Sequence, residues 1–179
     1  MSIRPKLIFG LVSLLATLFG CAAPDRSLPP LKTVADVDLQ RYTGLWHEIA
    51  RFPHRFQKGC YASHAVYTLR DDGLIGVYNE CREGTADGPI KAVKGKARVV
   101  DKQTNAKLEV SFFWPFWGDY WIIDLDPDYR WAVVGHPSRR YLWILSRQKS
   151  LDEETLDGIR LRLQQQGYDL SQLLFSPVG

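Results

Sequence analysis

Neither sign of charge dominates this chain of 179 residues: Lys+Arg 23 stand against Asp+Glu 20, a net of +3. A balance so close to zero excludes a disordered acidic or basic tail and argues against a nucleic-acid binder held by phosphate contacts. Histidine is scarce, and His47, His54, His64 and His136 lie scattered. There is no G-x-S-x-G elbow and no H-E-x-x-H pair, so neither the exposed serine of a hydrolase nor the zinc grip of a metalloprotease is in sight. No metal and no cofactor is expected. Methionine occurs once, at the start, and cysteine three times, at Cys21, Cys60 and Cys81. No internal repeat is found. The length suits one globular domain and hardly leaves room for two.

What is present begins with an address. Arg4 and Lys6 precede an uncharged stretch over residues 7–24, apolar through residue 20. A short basic region followed by an apolar one reads as a secretory signal peptide over residues 1–20. The uncharged run sits at the lower edge of transmembrane length, and Gly10, Ser13, Thr17 and Gly20 weaken it as a span. Leu18-Phe19-Gly20-Cys21 resembles a bacterial lipobox, with Phe19 where a small residue is usual. The resemblance implies cleavage after Gly20 and attachment of N-acyl and S-diacylglycerol chains to Cys21. Ala22 stands where Asp would imply retention in the inner membrane, so the address implied is the periplasmic face of the bacterial outer membrane. Residues 21–38 carry Pro24, Pro29 and Pro30 and read as a lipidated tether, leaving 39–179 as the folded domain. An uncleaved anchor and a non-lipidated export signal are the two other readings of this segment.

An exported chain meets an oxidising compartment. With Cys21 lipidated, Cys60 and Cys81 remain as a pair on the two arms of an apparent hairpin turned at Asp71-Asp72-Gly73. A disulfide between them would close a loop of about 20 residues, worth roughly 3 kcal/mol. Two free buried thiols are the alternative.

The body of the chain reads as consecutive strands over residues 42–52, 61–69, 74–79, 90–100, 107–113, 119–125, 129–134 and 140–146. Alternation marks residues 61–69 and 90–100, residues 42–52 are a mixed run, and short turns join nearly all eight. Eight strands so spaced predict an all-β sandwich or barrel rather than alternating βα units. One helix follows: Ser150 with Glu153 three residues on reads as a capping box, Leu156, Ile159 and Leu163 recur at helical spacing, and Gly167 is the expected stop. Residues 173–175 read as a short final strand.

Several motifs carry a resemblance. Gly44-Leu45-Trp46 opens the first strand, Asp128-Tyr129 lies between the sixth and seventh, and Arg147 ends the eighth. Their order and spacing resemble the lipocalin family. The wording of residues 46–56 and 141–147 is similar to bacterial outer-membrane lipocalins, relatives of apolipoprotein D, over about residues 36–176. The resemblance implies an eight-stranded up-and-down antiparallel barrel with the C-terminal α-helix packed on its wall. In such a barrel Gly44, Trp46, Asp128, Tyr129 and Arg147 meet at one end. There an arginine over the Trp46 indole would close the barrel as a structural device, not a catalytic one.

The other four connections then share the open end. They offer Arg55, Lys58, Arg139 and Arg140 with Phe56, Trp114, Phe116 and Trp117. An eight-stranded barrel can hold one small ligand, and cationic groups at its mouth suit a phosphate or carboxylate head. Glu48, two residues after Trp46, is expected inside as a polar anchor. The expected ligand set is therefore Glu48, Arg55, Trp114, Phe116, Trp117, Arg139 and Arg140. For the basic residues the plainer reading is solvated loop charge; for the aromatic loop it is packing over the mouth, and contact with a membrane interface is a third. The expected partners are a fatty acid or lysophospholipid, the membrane through the lipid anchor, and a second copy of the chain in a homodimer; nucleic acid is not expected. Two alternatives remain. One is a structural lipoprotein whose barrel is filled by aromatics, and the other is a haem or pigment carrier using an inward His64. Chemistry is not expected, because the only candidate cavity thiol, Cys60, would be removed by pairing with Cys81.

Overall fold

Every second residue is buried along Ser63, Ala65 and Tyr67, and again at Ile75 and Val77. That period of two is the mark of strands with one face turned inward. The computed structural model describes residues 28–176. The signal segment and Cys21 lie outside the described residues. Eight strands form the barrel: β1 (Gly44–Arg51), β2 (Cys60–Leu69), β3 (Ile75–Glu83), β4 (Ile90–Val99), β5 (Lys107–Ser111), β6 (Gly118–Leu125), β7 (Trp131–Gly135) and β8 (Leu142–Ser146). Each is antiparallel to the next, and β1 pairs with both β2 and β8, so the sheet closes on itself. The expected all-β barrel with a helix on its wall is what the chain forms.

Several boundaries differ from expectation for local reasons. Leu39–Tyr42 form a helical turn, α1, because the Asp38 carboxylate accepts from the Gln40 and Arg41 amides; β1 therefore starts two residues late. Tyr129 and Arg139 adopt φ of 61° and 56°, which puts both in turns and delays β7 and β8. The segment expected as tether is docked from Leu31 onward. Leu31 and Val37 are buried, Val34 N–H donates to Ile122 O at 3.0 Å, and Val37 N–H to Thr104 O at 2.8 Å.

The wall helix α2 (Glu153–Gln165) is capped by Asp152, whose carboxylate accepts from the Thr155 amide, and not by Ser150. Its end matches the expected glycine stop. Gly167 N–H donates to Gln164 O and Tyr168 N–H to Leu163 O, the paired bonds of a Schellman turn, with Gly167 at φ 83°. Leu156, Ile159 and Leu163 pack on Ile49, Val133 and Ile144, which face outward. Because the helix covers it outside and the barrel inside, residues 132–135 of β7 are all buried.

Strand β1 carries a bulge. Glu48 pairs with Leu145 but Ala50 pairs with Ile144, so Ile49 is an extra residue. Beyond His47, β2 no longer pairs with β1, and a two-residue strand β9 (Leu174–Phe175) takes its place beside Ala50 and Arg51.

Cys60 and Cys81 form a disulfide with 5.4 Å between their Cα atoms. It ties the start of β2 to the far part of β3. Replacing both by serine should lower unfolding stability by about 3 kcal/mol, the loop-closure value for a loop of this size. Urea titration of the wild type and the double variant measures it. A difference below about 0.5 kcal/mol would show that the bond constrains nothing in the unfolded chain.

Candidate functional site

At the closed end, Trp46 has no exposed surface, and its indole Nε1 donates to Tyr42 O at 2.8 Å. The Arg147 guanidinium lies 3.7 Å from the centre of the indole. It also donates to Leu45 O at 2.8 Å, Arg41 O at 2.7 Å and Tyr129 O at 3.3 Å. One side chain thus ties α1, β1 and the β6–β7 turn together. Gly44 has φ 93°, a left-handed backbone that favours glycine, and a Cβ there would also crowd Arg147 Nη1 at 3.3 Å. Tyr129 joins the group, its hydroxyl accepting from the Asp38 amide at 2.8 Å while Arg41 stacks on its ring.

Asp128 does not join them: it is exposed. The carboxylate that builds this turn is Asp126. It accepts from the Asp128 and Arg130 amides and from the Arg130 guanidinium, which holds it below the usual carboxylate range. The sequence reading missed it because either aspartate suits a turn.

Above the closed end the interior is apolar, with Ala65, Val77, Ala97, Leu108, Ile122, Val134 and Leu145 buried. Three tyrosines bridge it. Tyr120 hydroxyl bonds Tyr42 at 2.8 Å and donates to Tyr67 at 2.9 Å. Burial pushes the Tyr67 phenol up to about 12 and raises the other two well above their ordinary value, so all three stay protonated at neutral pH.

A polar tier lies higher, on the β1–β8 side. Glu48 is buried, as expected, and Arg51 is buried beside it. Arg51 Nη1 donates to Glu48 Oε1 at 3.0 Å, and Gln57 Nε2 donates to Glu48 Oε2 at 2.6 Å. Ser176 hydroxyl donates to the same carboxylate. Arg51 Nη2 donates to Gln57 O, and Trp143 Nε1 to Gln57 Oε1. Gln57 spends its amide N–H on Glu48, so its oxygen only accepts; His54 therefore carries its proton on Nε2, 2.6 Å away. Burial holds His54 below its ordinary value, consistent with that neutral tautomer.

Arg51, His54, Gln57 and Trp143 were missed by the sequence reading. Three residues apart on a regular strand, Glu48 and Arg51 would face opposite ways. The extra residue at Ile49 turns both inward, and no residue type announces it. Among the described residues, Ser63 Oγ, Asn79 Oδ1, Arg51 Nε and His54 Nδ1 are buried without a partner. Such atoms are costly unless something polar meets them. Where β2 leaves β1, a cleft of about 340 Å³ reaches this region, lined by His47, Glu48, Ser63, His64, Cys81 and Lys149 among others.

The remaining expected ligand residues do not converge. Arg139 is committed to Gln166 O and Pro29 O, clamping the helix end to the N-terminal segment. Trp117 lies against Arg98, 4.3 Å from its guanidinium. Arg98 is exposed and one residue from inward Ala97, so Trp117 packs on the outer wall rather than in the cavity. Arg55 lies over Phe56 on a 3-10 turn at the rim, Arg140 is exposed, and Trp114 and Phe116 project from the β5–β6 loop. Their positions follow loop geometry, which alternation in strands does not report. His64 pairs opposite His47, on the face away from inward Ala65, so it is not the inward ligand that a haem carrier needs.

The family model of the Lipocalin-like domain matches residues 37–178. The chain is 40% identical over 158 residues to the outer membrane lipoprotein Blc of Escherichia coli strain K12, covering 87% of each. It is 41% identical over 156 residues to temperature-induced lipocalin-1 of Arabidopsis thaliana, covering 82% of each. Among solved structures, insecticyanin from the tobacco hornworm Manduca sexta superposes with a TM-score of 0.69 at 22% identity, covering 85% of this chain and 86% of that one.

Proposed function

The chain belongs to the lipocalin-like family, and from that premise we propose that it is a lipid-anchored carrier of single-chain lipids at the periplasmic face of the bacterial outer membrane. Fatty acids and lysophospholipids are the ligands proposed, held without turnover for storage or transport in membrane upkeep. The observation that carries this reading is the polar tier of Glu48, Arg51 and Gln57 set over an apolar interior. An acyl chain gains about 0.8 kcal/mol for each CH₂ it buries, and a head group meets the unpartnered donors and acceptors at the tier. The anchor rests on the lipobox at Cys21 and on the likeness to the Blc outer membrane lipoprotein. The thiol that could do chemistry, Cys60, is spent in the disulfide.

A second reading, a barrel filled by its own side chains with an interaction role, is favoured by the Tyr42–Tyr120–Tyr67 bridge across the interior. Native mass spectrometry of residues 22–179, with and without lysophospholipid or fatty acid, decides between them. Lipid carriage predicts a one-to-one adduct whose abundance depends on the head group. No adduct with any lipid would overturn it in favour of the filled barrel.

A further inference from the structure

Among the described residues, the four most exposed large apolar side chains all lie at the mouth of the barrel. On the β5–β6 loop, Phe113 is 70% exposed, Trp114 80% and Phe116 76%; Phe56 on the β1–β2 connection is 62% exposed and Ile90 at the start of β4 57%. Clusters of this kind are uncommon on a domain that meets only water, and tryptophan favours the membrane interface. Exposed Arg55, Lys58 and Arg140 stand at the same end, where they suit anionic head groups.

A second observation concerns where the chain arrives. Arg139, on the β7–β8 turn at the open end, donates to Pro29 O, and the Lys32 amide donates to Gln166 Oε1 at 3.1 Å. From there the chain runs to Thr104 at the closed end and on into α1. The polypeptide therefore joins the barrel at its mouth. Cys21 precedes Pro29 by eight residues, a reach of no more than about 29 Å even fully extended. The ten-residue strand β2 is about 33 Å long and, tilted as barrel strands are, spans about 25 Å of the barrel axis. A tether leaving the mouth must therefore run almost straight along the whole wall to bring the closed end to the membrane, whereas the mouth reaches it at any extension.

We infer that the open end is a docking surface for the bilayer that holds the anchor, with Phe113, Trp114 and Phe116 entering the head-group region. The inference rests on the lipid-anchor reading. Held this way, the mouth passes an acyl chain between bilayer and barrel without exposing it to water.

The full chain, made with its own leader and reconstituted into phosphatidylethanolamine–phosphatidylglycerol vesicles carrying brominated acyl chains, tests it. Flotation reports anchoring, and bromine quenching of tryptophan emission reports orientation. The expected result is co-flotation with strong quenching, and a quenched fraction about threefold smaller in Trp114→Phe, which floats equally well. Protein that floats but is unquenched, or is quenched equally in Trp114→Phe, overturns the docking surface whether water or a second copy of the chain covers the mouth. Full chain that does not float overturns the anchor reading and this inference with it.

Discussion

Replacing Trp46 by alanine should lower unfolding stability by about 3–5 kcal/mol, the range for removing a fully buried large aromatic. Three losses combine. The indole fills the closed end among Tyr42, Tyr67 and Leu145. Its Nε1 satisfies Tyr42 O, which would be left buried and unbonded. Arg147 would lose the ring beneath its guanidinium while still bound to three backbone carbonyls. Trp46→Phe keeps most of the packing and loses the hydrogen bond, so about 1–2 kcal/mol is expected for it. Arg147→Lys keeps the charge but cannot reach Leu45, Arg41 and Tyr129 together, and should cost about 1–3 kcal/mol. Urea unfolding measures all three. Lipid stoichiometry by native mass spectrometry should be unchanged in whichever variants fold, because these residues plug the end opposite the mouth. A loss below 1 kcal/mol for Trp46→Ala would show that the closed end repacks without it.

Much of this fold is legible in the sequence because its physics is periodic. Alternation through residues 61–69 and 90–100 exposes the strands, and Leu156, Ile159 and Leu163 expose the helix face. The closed end is legible in part, since in the up-and-down barrel that the family resemblance implies alternate connections bring Trp46, Tyr129 and Arg147 to one end, although Asp128, expected with them, is exposed. The mouth is not, because its residues sit on loops whose paths depend on tertiary contacts. Arg139 illustrates this: as a loop cation it suited an anionic ligand, yet the helix C-terminus and the N-terminal segment present carbonyls that claim it first. The polar tier hides for a different reason. A single bulge residue, Ile49, reverses the parity of everything after it in β1, so Arg51 enters the barrel from a position that alternation assigns to the wall.

That reversal leads to a second large effect. The side chains of Arg51 and Glu48 are 10% and 4% exposed, and they face one another at 3.0 Å. Removing either charge leaves the other buried without its counterion. Glu48→Ala or Arg51→Ala should therefore cost about 3–5 kcal/mol each. Removing both at once is different. Glu48→Leu with Arg51→Met replaces the pair by apolar groups of similar size, and such replacements are often neutral or stabilising by 1–4 kcal/mol. The double variant should thus unfold near the wild-type urea midpoint while each single alanine variant unfolds well below it. If the single losses simply add in the double variant, the two residues act separately and the pair is not the unit of stability. The same double variant separates packing from recognition. On the proposed lipid-carrier function its apolar interior still accommodates an acyl chain, so an adduct should persist in native mass spectrometry. With Arg51 gone and Gln57 deprived of the carboxylate that positions it, discrimination between fatty acid and lysophospholipid should disappear. Discrimination that survived the double change would place head-group recognition elsewhere, among the exposed cations of the rim.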